Sequence, residues 1–118
     1  MNKKRELFFF KSYFREFYDA QTPKVKQKIL WTLKVIEELD QIPETYFKHL
    51  TGTDGLYEIR VQVGNDIFRI FCFFDKGNLI VIGHGFTKKT PKTPKSELTR
   101  AAAIKAEYYA SQRKADQS

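Results

Sequence analysis

The sequence predicts an α+β fold, a mostly antiparallel sheet with its helices on one face. Three observations carry this. Three apolar segments follow one another between residues 56 and 86, separated only by the short turns "GN" and "DKGN". Two helical stripes precede them, and an alanine-rich helical segment follows. Strands and helices in separate runs, rather than in alternation, favour α+β architecture.

The elements justify themselves in order. The short apolar run Leu7–Phe10 reads as an edge strand, the N-terminal one of the sheet. Tyr13, Phe14, Phe17 and Tyr18 then recur at i, i+1, i+4 and i+5, one stripe of a helix. In "TPKVKQKILWTLKVIEELDQ", Thr22 is placed to cap and Pro23 occupies the first helical position. Val25, Ile29, Leu33, Ile36 and Leu39 line one face, and the helix must end before Pro43. The segment "PETYFKHLTGTDG" reads as a loop.

A three-strand meander follows. "LYEIRVQV" alternates, with Tyr57, Ile59, Val61 and Val63 on one side and Leu56, Glu58, Arg60 and Gln62 on the other. "GN" suits a two-residue hairpin turn with glycine first. "DIFRIFCFF" is too apolar to face water and is expected at the centre. "LIVIGHGF" is the last strand, and "TPKSELTRAAAIKAEYYASQRK" is helical, capped by Thr93 or Ser96. A frayed tail is expected from about residue 112 to 118. A chain of 118 residues with no long linker fits one domain over 1–118 and needs no disulfide framework.

Bulk chemistry narrows the function. The single cysteine, Cys72, lies in an apolar run and suits a buried position in a reducing, cytoplasmic compartment. No secretory or membrane-spanning segment is visible. One cysteine and two histidines argue against a structural metal site, and no cofactor motif is present. A net charge of +7 with 15% aromatics points to a polyanionic partner. The charge is uneven: "EELDQIPE" is acidic, whereas "HGFTKKTPKTPK" has four lysines and no acid.

Hairpin geometry concentrates this charge. If Gly64 and Asn65 form the turn, Val63 pairs with Asp66 and Arg60 falls opposite Arg69. Like charges directly opposed across a ladder destabilise it. If Phe74 pairs with Leu79, Arg69 falls opposite His84, with Phe86 and Lys88 continuing the same face. Lys88 and Lys89 would then close a basic pocket. Pro91 and Pro94 would stiffen the next loop, leaving Lys92 and Lys95 to meet phosphates further along. A buried Arg69 needs a partner, which Glu58 or a helix acid can supply. There is no Ser–His–Asp order and no Gly-rich phosphate loop. A site built of cations suits a phosphodiester: arginines hold the phosphate, a lysine of lowered pKa moves a proton, and RNA brings its own 2′-OH nucleophile.

The stretch "DGLYEIRVQVGNDIFRIFCFFDKGNLIVIGHGFTKKTPKTPKSEL", with "TPKVKQKI" and "FKHL" upstream, resembles the RelE/HigB superfamily of toxins, specifically its phage-derived Gp49-like HigB subgroup. The resemblance implies a RelE-like fold and the toxin half of a type II toxin–antitoxin pair. It implies metal-free cleavage of mRNA on the translating ribosome, and a cognate antitoxin, commonly a helix-turn-helix (HigA-like) protein. By that resemblance Arg60 helps hold the substrate, Arg69 stabilises the scissile phosphate, and Lys88 and Lys89 contact phosphate or act as general acid. The family's C-terminal tyrosine or histidine base has no match here, which leaves His84 or a lysine for that role. It also keeps open a non-enzymatic RNA- or ribosome-binding module that blocks translation.

Overall fold

The computed structural model describes residues 3–117. The elements run β1 (Glu6–Phe9), α1 (Tyr13–Asp19), α2 (Pro23–Glu38), β2 (Phe47–His49), β3 (Leu56–Val63), β4 (Asp66–Phe74), β5 (Leu79–Lys88) and α3 (Lys95–Gln117). The strands form one sheet in the order β1-β5-β4-β3-β2. Only the β1–β5 pair is parallel. β4 is central, as its long apolar run, interrupted at Arg69, demands.

α2 begins as its sequence dictates. The Thr22 side chain accepts a hydrogen bond from the Val25 amide at 3.3 Å, and Pro23 takes the first helical position. This satisfies one of the donors a helix start leaves open. The β3–β4 hairpin also follows its sequence. Gly64 adopts φ +61°, which a side chain would resist, and Val63 pairs with Asp66.

Three expectations are corrected. First, "FKH" is not loop but the short strand β2, paired with Tyr57–Ile59 of β3; three residues are too few to show a period. Second, the helices cover both faces of the sheet. Val25, Ile29, Leu33 and Ile36 of α2, with Phe14 of α1, pack on Ile59, Val61, Phe68, Ile70, Cys72, Ile80 and Ile82. Ala101, Ile104 and Tyr108 of α3 pack on Leu56, Phe71, Phe73 and Val81 of the opposite face. β4 supplies both cores, and a strand apolar on both sides requires two covering layers. Third, neither proposed cap serves α3: Thr93 bonds elsewhere and Ser96 lies inside the helix.

The β4–β5 register also departs from expectation. Phe74 pairs with Ile80 rather than Leu79, and a bulge follows: Ile70 pairs with Gly85 and Cys72 with Ile82. One residue of β4, Phe71, thus spans two of β5, Gly83 and His84. The two shifts together keep Phe86 and Lys88 on the Arg69 face but place Phe86, not His84, opposite Arg69.

Candidate nucleic-acid interface

The β3–β4 ladder sets Arg60 directly opposite Arg69, as the hairpin count requires. Two guanidiniums so placed would repel by roughly 4 kcal/mol at about 4 Å and an effective dielectric near 20. Glu58, two residues before Arg60 on the same face, offsets this. Its Oε1 lies 3.3 Å from Arg69 Nη1 and 3.6 Å from Arg60 Nε. Glu58 and Arg69 are 2% and 3% exposed, while Arg60 is only half-buried. Arg69 is therefore anchored, and Arg60 forms the open wall.

Both arginines line a pocket of about 330 Å³ with Glu44, Thr45, Gln62 and Ile67. Among the described residues, Arg69 Nε has no hydrogen-bond partner. A buried donor without a partner is costly, and an anion entering the pocket would satisfy it. Burial, and then Arg60, hold the Arg69 pKa below its ordinary value, against the pull of Glu58. Arginine nonetheless stays charged.

Lys88 lies opposite Ile67, on the Arg69 face of the sheet. Its ammonium is pushed below the ordinary lysine value, chiefly by burial and then by Arg69, with Arg60 and Lys48 adding to the effect and Glu58 opposing it. Lys48, on β2 opposite Glu58, was hidden in the sequence because its strand read as loop. Against Glu58 and Glu44, the two arginines and two lysines leave the site with surplus positive charge. That face can hold an anion and supply a proton to it.

The proline-containing segment after β5 folds back over this face. Thr93 Oγ1 donates to Glu58 Oε2 at 3.2 Å, so one carboxylate anchors both Arg69 and the loop. Lys89, Lys92 and Lys95 are exposed along that segment and are not gathered into the pocket.

His84 is also not part of the pocket. It is 1% exposed, with its ring 5.1 Å from that of Phe71, and its Nε2 is 3.5 Å from Glu97 Oε1 of α3. That contact is too poorly formed to count as a hydrogen bond, and among the described residues both ring nitrogens lack a hydrogen-bond partner. Burial and the nearby Arg100 push its pKa down to about 4. Between His84 and the pocket stand Phe71 and Phe86, stacked at 5.3 Å. Cys72 is fully enclosed, and burial pushes its thiol upward, which leaves it unreactive. Among the described residues, no helix is long and apolar enough to cross a membrane.

The profile of a family described as Phage derived protein Gp49-like (DUF891) matches residues 16–106. The match runs from α1 into α3 and takes in Arg60, Arg69, Lys88 and the Thr93 loop. No curated protein matches the chain.

Proposed function

The chain belongs to the phage-derived Gp49-like family, a RelE/HigB-type toxin family, and on that premise we propose that it is a cytoplasmic endoribonuclease toxin that cleaves mRNA on the translating ribosome without metal. The observation that carries this reading is the opposed pair Arg60 and Arg69, both opening on one pocket. Family membership also implies a cognate antitoxin. An antitoxin that covered this cationic face would silence it.

The roles follow from geometry and charge. Arg69, anchored by Glu58, presents its remaining donors to the non-bridging oxygens of the scissile phosphate, where charge grows in the transition state. Arg60, at the open wall, grips the same phosphate or its neighbour. The substrate's 2′-OH gives up its proton to solvent water as it attacks in line, giving a 2′,3′-cyclic phosphate and expelling the 5′-oxygen. Lys88, with its lowered pKa, gives that oxygen its proton. Exposed Lys89, Lys92 and Lys95 contact phosphates beyond the cleavage point. His84 takes no part in the proton transfers, being enclosed behind Phe71 and Phe86.

The test is a translating extract in which new mRNA 5′ ends are mapped for wild type, Arg60→Ala, Arg69→Lys and Lys88→Ala. Arg69→Lys keeps a cation for Glu58 while removing the planar fork. In-frame ends that need translation, and that fall by roughly a hundredfold or more in each variant, support the assignment. Blocked translation with intact mRNA would sink it in favour of a binding module.

A further inference from the structure

Gln62 lines a second groove besides the Arg60/Arg69 pocket. This groove, about 470 Å³, lies between the outer face of α2, where Lys24, Lys28 and Trp31 follow one another at helical spacing, and the β3–β4 turn at Gly64. Because β2 pairs only with Tyr57–Ile59, the edge of β3 beyond Arg60 is open. A chain leaving the pocket can therefore pass Gln62 and turn onto α2 without crossing another strand.

The chemistry of the groove is specific. Trp31 is the one tryptophan of the sequence and is 46% exposed. It is oriented rather than buried. Lys28 Nζ lies 4.2 Å from its ring centroid, and the Tyr46 ring meets it edge-on at 5.5 Å. Leaving an indole in water forgoes the largest burial gain any side chain offers. Lys24 and Lys28 are the only charged residues lining the groove, with no acid among them. Lysines interleaved with an exposed, oriented aromatic match what single-stranded nucleic acid requires: cations for the backbone and a flat surface for a base.

We infer that the Lys24–Lys28–Trp31 face of α2 is a second RNA subsite, which stacks a base of the same strand whose phosphate lies between Arg60 and Arg69. This rests on the proposed function for the occupant of the first pocket. An acidic segment of a protein partner could use the lysines but would gain little from the ordered indole.

Trp31 supplies its own probe. Oligoribonucleotides carrying 2′-O-methyl groups, which cannot be cleaved through the 2′-OH, are titrated at low salt in increasing length while tryptophan fluorescence is read. Short oligomers are expected to bind without quenching, and longer ones to bind more tightly and quench. Trp31→Ala should weaken binding of the long oligomers by on the order of five- to a hundredfold and leave the short ones unchanged. Trp31→Phe should restore most of the loss. Lys24→Ala with Lys28→Ala should reduce the salt slope by about 1.4, the value for two single-strand phosphates. Saturation by long oligomers without quenching would overturn the subsite, as would equal quenching by polyglutamate. The extract assay separates the two readings. In-frame ends with an unquenched Trp31 remove the subsite and leave the nuclease; quenching without new ends does the reverse.

Discussion

Glu58 Oε1 lies 3.3 Å from Arg69 Nη1, and both side chains are almost wholly withdrawn from water. The pair lets the sheet carry a guanidinium at its centre, and it fixes that guanidinium's direction. Removing one partner strands the other. Arg69→Ala leaves Glu58 with the Thr93 hydroxyl and the more distant Arg60, and is expected to cost about 3–5 kcal/mol. Arg69→Lys should cost less. The double variant Glu58→Gln/Arg69→Gln should recover part of the loss, because no uncompensated charge remains. Urea unfolding of the four proteins checks this; a fully stable Arg69→Ala would show that the pair does not hold the arginine. For the same reason, loss of toxicity in Arg69→Ala alone is not diagnostic of catalysis.

Lys88 sits where its charge is opposed by burial and by Arg69. Its folded-state pKa is lower than in the unfolded chain, so its stabilising contribution rises with pH through the window below 10.5. At neutral pH its charge is a cost to the fold. Lys88→Met is accordingly expected to unfold at the same or a higher temperature than wild type while losing cleavage by roughly 10²–10⁴, the range for removal of a general acid. NMR titration of the Lys88 Cε resonance should give a midpoint below the ordinary lysine value, moving upward in Arg60→Gln. A normal midpoint in wild type would remove Lys88 as the proton donor.

His84 bears on acid stability rather than on chemistry. Its pKa of about 4 when folded lies below the ordinary histidine value of 6.5. The unfolded chain therefore takes up the proton first as pH falls, and stability contributed by neutral His84 is lost between about 6.5 and 4. The groups facing it are Glu97 and Arg100 of α3 and the rings of Phe71 and Phe86. His84→Phe should flatten the dependence of unfolding free energy on pH in that window by up to about 3 kcal/mol. It should leave cleavage at neutral pH within a few fold of wild type. An unchanged slope would mean that His84 takes up its proton in the folded protein as readily as in the unfolded chain.

What could be read from the residues depended on how local the determining physics is. The "GN" turn fixes the β3–β4 register by itself, and so the opposition of Arg60 and Arg69 is legible in the sequence. The β4–β5 register was not. It depends on a longer turn and on a bulge at Gly83–His84, and each shifts the ladder by one residue. His84 was misplaced into the cationic row for that reason alone. Lys48 was missed because a three-residue strand has no period, although its position opposite Glu58 makes it part of the same face. The second covering layer was implicit in "IFCFF", whose residues on both sides are apolar and therefore need helices on both sides. The tie from Thr93 to Glu58 joins residues far apart in the sequence through one side-chain contact, which no local pattern encodes.

Gly85 shows how the site depends on the opposite layer. A Cβ at this position would sit 2.5–2.8 Å from ring atoms of Phe17 on α1, well inside contact distance. The ring is wedged against the sheet beside Phe68, so it cannot simply swing away. Gly85→Ala must therefore push α1 off β5 or shift β5 within the ladder. Overpacking of this kind costs about 1–3 kcal/mol. Gly85 pairs with Ile70 and is followed by Phe86, opposite Arg69, so any shift of β5 passes directly to the cationic face. Gly85→Ala is expected to lower the thermal midpoint by several degrees and to reduce cleavage, although it touches no substrate. Phe17→Leu in the same chain makes room for the methyl group and should restore both. Thermal unfolding and the extract assay on the single and double variants decide it. Stability restored without activity would mean that β5 remains displaced even when α1 has room to return.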